Sequence, residues 1–173
     1  MRERKSASLA EFERLAEMLA DLAKAEYLSS IELTPKLVVM GHDPGAAEQP
    51  GYRFGLVPVA ELMTSSAGVP GEVVIAALIE KLAQDPEVLV VGYVSEAWLG
   101  RYTKEARALM GTTVNPEESP NREEVLLMNL RSASCMALKT CPLVRDGQKT
   151  TVGTGDLLFK SQGTVPQSGR YTH

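Results

Sequence analysis

The C-terminal half of the chain constrains the fold most, because three segments with β-type patterns follow one another through short connections. They are Glu124 to Leu130, Cys135 to Val144 and Thr151 to Phe159. The second connection contains Asp146-Gly147, a pair that favours the tight turn of a β-hairpin. We therefore predict a C-terminal meander of antiparallel strands.

The N-terminal part carries the pattern of an amphipathic helix. Ser8, followed three residues later by Glu11, matches a capping box. Apolar residues then recur at three- and four-residue steps between charged ones: Leu9, Phe12, Leu15, Leu19 and Leu22. This stripe either packs on a sheet of the same chain or contacts a partner through Leu15, Leu19 and Leu22.

Further elements are predicted between these two regions. Strands are expected at Lys36 to Met40, Tyr52 to Val59 and Val88 to Trp98, with a helix over Pro70 to Ala83. The chain is therefore predicted to be a single α+β domain, with two main helices packed on a mainly antiparallel sheet of about five strands. The domain is expected to span residues 1–159. The polar residues 160–173 are expected to form a tail that is mobile on its own and that a neighbouring chain could order.

Composition excludes several classes of function. The 173 residues are 44% hydrophobic and carry a net charge of -4, which is typical of one ordinary domain and supplies no basic field for nucleic acid or an anionic membrane. A weaker alternative is a nucleic-acid accessory protein that binds through the basic residues near the start, Arg2, Arg4 and Lys5, although three charges are few for such binding. No apolar run approaches the ~20 residues of a membrane helix, and no signal-peptide pattern is present. We expect a cytoplasmic protein, or one incorporated into a particle assembled in the cytoplasm.

The sequence predicts neither a metal nor a cofactor. His42 and His173 are the only histidines, and neither stands at a zinc-binding spacing from Cys135 or Cys141. On one strand these two cysteines would lie about 20 Å apart, so we expect two buried thiols rather than a disulfide. One alternative is a hard cation held by oxygen ligands from Asp43, Glu96, Glu117 and Glu118.

Catalytic motifs are absent, but three residues could act as general acid or base. The chain has no nucleotide-binding glycine motif and no Gly-x-Ser-x-Gly nucleophile motif. His42 could act as a general base near neutral pH, and Glu96 with Glu123 could form a carboxylate pair. In a hydrolase of this type, Arg122 would bind an anionic or carbonyl group of the substrate.

One pair of segments is richer in recognition residues than the rest. Ser95-Glu96-Ala97-Trp98 ends one predicted strand, and Pro120-Asn121-Arg122-Glu123-Glu124 begins the next. If the two strands are antiparallel neighbours, Glu96 and Trp98 lie near Arg122 and Glu123. The group is then either a binding patch or a structural ion pair beside a tryptophan that covers the sheet edge.

These residues, with the later Arg145-Asp146-Gly147 hairpin, resemble small uncharacterised proteins from bacteria and their phages over about Val88 to Phe159. The resemblance implies a bacterial or phage setting and no particular activity. We therefore predict a non-enzymatic interaction or assembly subunit that binds protein partners or itself, such as a component of a phage particle or another bacterial multiprotein complex. The alternative is a small hydrolase-type enzyme that uses His42 or the Glu96 and Glu123 pair.

Overall fold

The computed structural model describes residues 8–29, 35–45, 51–60, 68–100 and 122–162. The helices there are α1 (Leu9–Ser29) and α2 (Gly71–Gln84). The strands are β1 (Lys36–Asp43), β2 (Gly51–Pro58), β3 (Val88–Gly100), β4 (Arg122–Arg131), β5 (Cys135–Asp146), β6 (Lys149–Val152) and β7 (Asp156–Gln162). This is the predicted α+β class. Residues 163–173 of the predicted tail lie outside the described residues, and β7 extends to Gln162.

One antiparallel sheet contains every described strand. Its order is β2-β1-β3-β4-β5-β6, and β7 pairs with the first half of β5. The predicted meander is present as β4, β5 and β6, and Gly147 takes a positive φ of 59° in the predicted hairpin turn. We expected about five strands and find seven, in part because the segment Thr151 to Phe159 is not continuous. Gly153 to Gly155 separate β6 from β7.

Close packing accounts for this break between β6 and β7. The Gly153 amide donates a hydrogen bond to the Pro142 carbonyl over 2.8 Å. At Gly155 a Cβ atom would lie only 2.3 Å from the Cys141 sulfur and 2.9 Å from the Thr140 carbonyl oxygen. Only glycine lets the chain pass this close to β5.

The two helices pack on opposite faces of the sheet. Along β1, Val38 and Met40 face the cluster around α1, whereas Leu37 and Val39 face the cluster around α2. This alternation follows from the two-residue period of side chains along a strand. Each helix therefore has its own hydrophobic core, and the α1 core is the larger.

Helix α1 begins where the sequence indicates. The Glu11 amide donates to the Ser8 hydroxyl over 3.2 Å, as the capping box predicts. Its apolar stripe packs on the sheet of the same chain: Leu15 is 2% exposed and Leu19 is fully buried, while Leu22 lies at the margin of the core. Of the two interpretations of this stripe, the structure supports packing within the chain, and Leu15 and Leu19 offer no surface to a partner.

No helix among the described residues is long and apolar enough to cross a membrane. Both cysteines lie on β5, where they are buried and unbridged, as predicted.

Candidate functional site

Strands β3 and β4 bring the predicted recognition residues together. They are antiparallel neighbours, and their register pairs Trp98 with Glu124 and Gly100 with Arg122. The last residues of β3, Ser95 to Gly100, extend past β1, which ends its pairing at Val94. The two strands therefore continue beyond the part of the sheet that β1 and β2 share.

Trp98 and Arg122 form the exposed end of this extension. The Arg122 guanidinium carbon lies 5.0 Å from the centre of the indole ring, which is the geometry of a cation–π contact. The tryptophan nevertheless remains 40% exposed. We call these two residues the Trp98–Arg122 patch.

Behind the patch, Arg145 of β5 joins the two strands. Its guanidinium nitrogens donate to Glu124, at 2.7 Å and 3.0 Å for the closest contacts to the two carboxylate oxygens, and to Glu96 Oε1 at 2.9 Å. Glu96 Oε1 also accepts a 2.6 Å hydrogen bond from the Tyr27 hydroxyl at the end of α1. Four elements of the fold therefore meet in one hydrogen-bonded group.

Both carboxylates of this group pair with the one guanidinium of Arg145. Hydrogen bonding to Arg145 lowers the pKa of Glu124. The carboxylates in turn raise the pKa of Arg145, with Glu124 as the main cause. Burial, followed by the hydrogen bond to Glu96, raises the pKa of Tyr27. The phenol thus stays protonated and donates at every physiological pH, so the arrangement holds charge in place rather than supplying a proton.

The predicted carboxylate pair is not the one that the fold assembles. Glu123 pairs with Leu99, one position from Trp98, so strand alternation directs its side chain to the opposite face from Glu96 and Glu124. Glu96 instead lies near Glu124, with Arg145 between them.

His42 lies at the other end of the sheet. Its neighbour Gly41 pairs with Val88, and eight residues of β3 separate Val88 from Glu96, which is about 26 Å along a strand. The exposed imidazole stacks on Tyr52, with ring centres 6.4 Å apart. It therefore cannot act on the same substrate atom as Glu96.

Sequence reasoning missed Tyr27, Glu124 and Arg145. The sequence did contain a signal for the position of Tyr27, because this residue continues the apolar stripe of α1 at a four-residue step from Ala23. Arg145 had no such signal, because its contact with Glu96 joins residues 49 positions apart. That proximity depends on the registers of two strand pairs together.

Among the described residues, no group of three or more His, Cys, Asp or Glu side chains is placed to hold a metal ion. Two members of the alternative cation site, Glu117 and Glu118, lie outside the described residues. Comparison with known proteins adds no assignment, because no family model, curated protein or solved structure matches the chain.

Proposed function

We propose that this protein is a non-enzymatic assembly subunit and that the Trp98–Arg122 patch is one of its contact surfaces. The observation that carries the proposal is a tryptophan left 40% exposed on a strand end that three other elements hold in position. Tryptophan and arginine are the residue types most enriched among those that dominate protein–protein binding energy. The bacterial or phage complex implied by the sequence resemblance is the setting we propose for this role.

The Arg145 group supports a binding role for the patch. Because β3, β4, β5 and α1 are tied together by hydrogen bonds, Trp98 is presented on a fixed backbone. A surface that is already ordered loses less conformational entropy when a partner binds. Rigidity of this kind favours recognition.

The hydrolase alternative receives less support from the same geometry. General acid catalysis by a carboxyl group requires a pKa raised towards neutral pH. The carboxylate that the fold brings near Glu96 is Glu124 rather than Glu123, and Arg145 lowers the pKa of Glu124. Glu96 Oε1 is already an acceptor for both Tyr27 and Arg145.

The test uses the fact that Trp98 is the only tryptophan in the chain. Its fluorescence therefore reports on the patch alone. Light scattering gives the solution mass over a concentration series at two salt strengths, and acrylamide quenching of Trp98 is measured on the same samples. We expect the mass to rise above 18.7 kDa and the quenching constant to fall as the patch becomes covered.

Substitutions complete the test. Arg122→Ala should weaken the association while leaving thermal unfolding unchanged. Val73→Ala is the matched control, because Val73 is 55% exposed on α2, away from the patch. Quenching of Trp98 that does not change with concentration, in a protein whose association is unaffected by Arg122→Ala, would contradict a contact role for the patch.

A further inference from the structure

Among the described residues, strand β2 is an edge strand of the sheet. It pairs with β1 over all eight residues, from Gly51 to Pro58, without an irregularity in register. In the part of the chain that the structure describes, β1 is its only partner. Its central residues Arg53 to Leu56 are all exposed. The outer edge of β2 therefore carries backbone N–H and C=O groups that can pair with another strand.

The usual protections of an edge strand are weak here. Natural edges are blunted by bulges, by prolines within the strand or by unpaired charges. In β2 the proline stands at the end, and the one charged side chain, Arg53, lies 2.9 Å from Glu87 of the same chain. Phe54 and Leu56 are 42% and 44% exposed and, two residues apart, share the face on which α1 packs.

Gly55 gives a second and independent indication. Within the described residues, only Gly68 and Gly147 take a positive φ, so the backbone at Gly55 is accessible to any residue. A Cβ atom added there would meet nothing within 4 Å. Neither conformation nor packing against the described residues thus requires glycine at this position, although glycine weakens a strand interior. Close approach of a backbone from outside is a remaining reason for glycine in a strand.

We propose that β2 pairs with β2 of a second copy of this chain, antiparallel and centred on Gly55. In this register Gly55 lies opposite Gly55 of the second copy. Phe54 then lies opposite Leu56 of the second copy, and the reverse pair forms at the other side of the two-fold axis. The four exposed apolar side chains therefore meet on one face, as favourable cross-strand pairs do.

Charge favours a second copy over a charged peptide. Arg53 would lie opposite Val57 of the second copy, and four positions separate the two arginines along the strands, about 13 Å. This exceeds the Debye length of about 8 Å at physiological ionic strength, so the arginines do not repel strongly. Because Glu87 already neutralises Arg53, the edge has little attraction for an acidic peptide.

The area involved sets the expected strength of pairing. Phe54 and Leu56 each expose about two-fifths of their surface, which is roughly 150 Å² of apolar area per copy. This is well below the ~800 Å² per partner of a standard interface, even before the backbone ladder is added. We therefore expect a reversible dimer that is populated at high micromolar concentration and not a permanent one.

The first experiment measures the dimer and its dependence on Phe54. Sedimentation equilibrium of the full chain, from about 5 µM to 1 mM, should show a monomer–dimer equilibrium. Phe54→Glu should weaken it at least tenfold. Val73→Glu, which places the same charge on an exposed site of α2, should leave it unchanged. Circular dichroism confirms that both variants fold.

The second experiment tests the register. Gly55→Cys is tolerated by the fold because its Cβ has space, and the native thiols are buried. Under mild oxidation it should give a disulfide-linked dimer, since opposed Cβ atoms lie within disulfide reach. Phe54→Cys should link more slowly, because its counterpart is a diagonal neighbour, and Val73→Cys should remain monomeric. A monomer at all concentrations, or faster linkage through Phe54→Cys, would overturn the pairing.

This inference rests on the proposed assembly role but uses a different surface, so the two can fail separately. If Gly55→Cys forms the disulfide-linked dimer but the quenching of Trp98 does not change with concentration, the β2 pairing stands and the contact role of the patch is wrong. If the quenching of Trp98 changes with concentration but Gly55→Cys forms no disulfide-linked dimer, the contact role of the patch stands and the β2 pairing is wrong.

Discussion

Truncation of Leu19 separates a core role for α1 from a partner-binding role. Leu19 is fully buried, and its Cδ2 atom lies directly above Gly92 of β3, where an added Cβ would be 3.4 Å away. Because Gly92 has no side chain that could move into the space, the cavity left by Leu19→Ala should persist. We therefore expect a loss of about 3–5 kcal/mol in the free energy of unfolding, in the upper part of the range for buried leucines.

The assay is urea unfolding followed by circular dichroism, with m compared between variants. For a domain of this size, the expected loss lowers Tm by about 6–20 °C. Leu28→Ala on the same helix is the matched control: Leu28 is 52% exposed, so its truncation should cost less than about 0.5 kcal/mol. The two variants change the same atoms at positions that differ only in burial.

The effects of substitutions at Leu19 and at Gly92, the residue beneath it, on the free energy of unfolding should be coupled. Gly92→Ala alone should destabilise, because its Cβ would lie 3.0 Å from Leu130 Cδ2 and 3.4 Å from Leu19. In the Leu19→Ala background the neighbouring cavity gives the Leu130 side chain space to move away from the added Cβ, so the double variant should lose less than the sum of the single losses. Equal stabilities for Leu19→Ala and Leu28→Ala, with a change only in solution mass, would refute the packing argument and restore α1 as a partner-binding helix.

Three further predictions concern local features. Arg145→Met should lower the free energy of unfolding by about 1 kcal/mol at pH 7, since the ion pairs of Arg145 with Glu96 and Glu124 are partly exposed. The pKa of Glu124 is lowered in the folded state, so its contribution to stability is present above the ordinary carboxyl range and is lost as pH falls through the lowered pKa. The urea midpoints of variant and wild type should therefore converge as the pH is lowered below the ordinary carboxyl range. Gly155→Ala should lower the free energy of unfolding by about 1–3 kcal/mol in the same urea assay. Gly153→Ala is the control, because its Cβ would make only ordinary contacts from 3.5 Å, and it should unfold at a higher urea concentration than Gly155→Ala. Ser8→Ala should remove the cap of α1 at a cost of about 1 kcal/mol, and an unchanged Tm would contradict that role.

The sequence by itself determined the local elements of this protein. The cap at Ser8, the stripe of α1 and the turn at Gly147 each depend on residues within a few positions of one another. Local steric and hydrogen-bonding preferences therefore suffice to predict them. The proximity of Trp98 to Arg122 was expected only on the condition that β3 and β4 are antiparallel neighbours, and the structure meets this condition.

Only the tertiary structure decided which carboxylates meet and which surfaces stay open. A shift of one residue in strand register would move every side chain of the strand to the other face of the sheet. The register that the fold adopts places Glu124, rather than Glu123, on the same face as Glu96. Arg145 reaches both carboxylates through pairings that span 49 and 21 residues. The exposed edge of β2 likewise depends on strand order, since the same eight residues would be covered in the middle of a sheet. Long-range order of this kind is set by the packing of the whole core and leaves no local pattern in the chain.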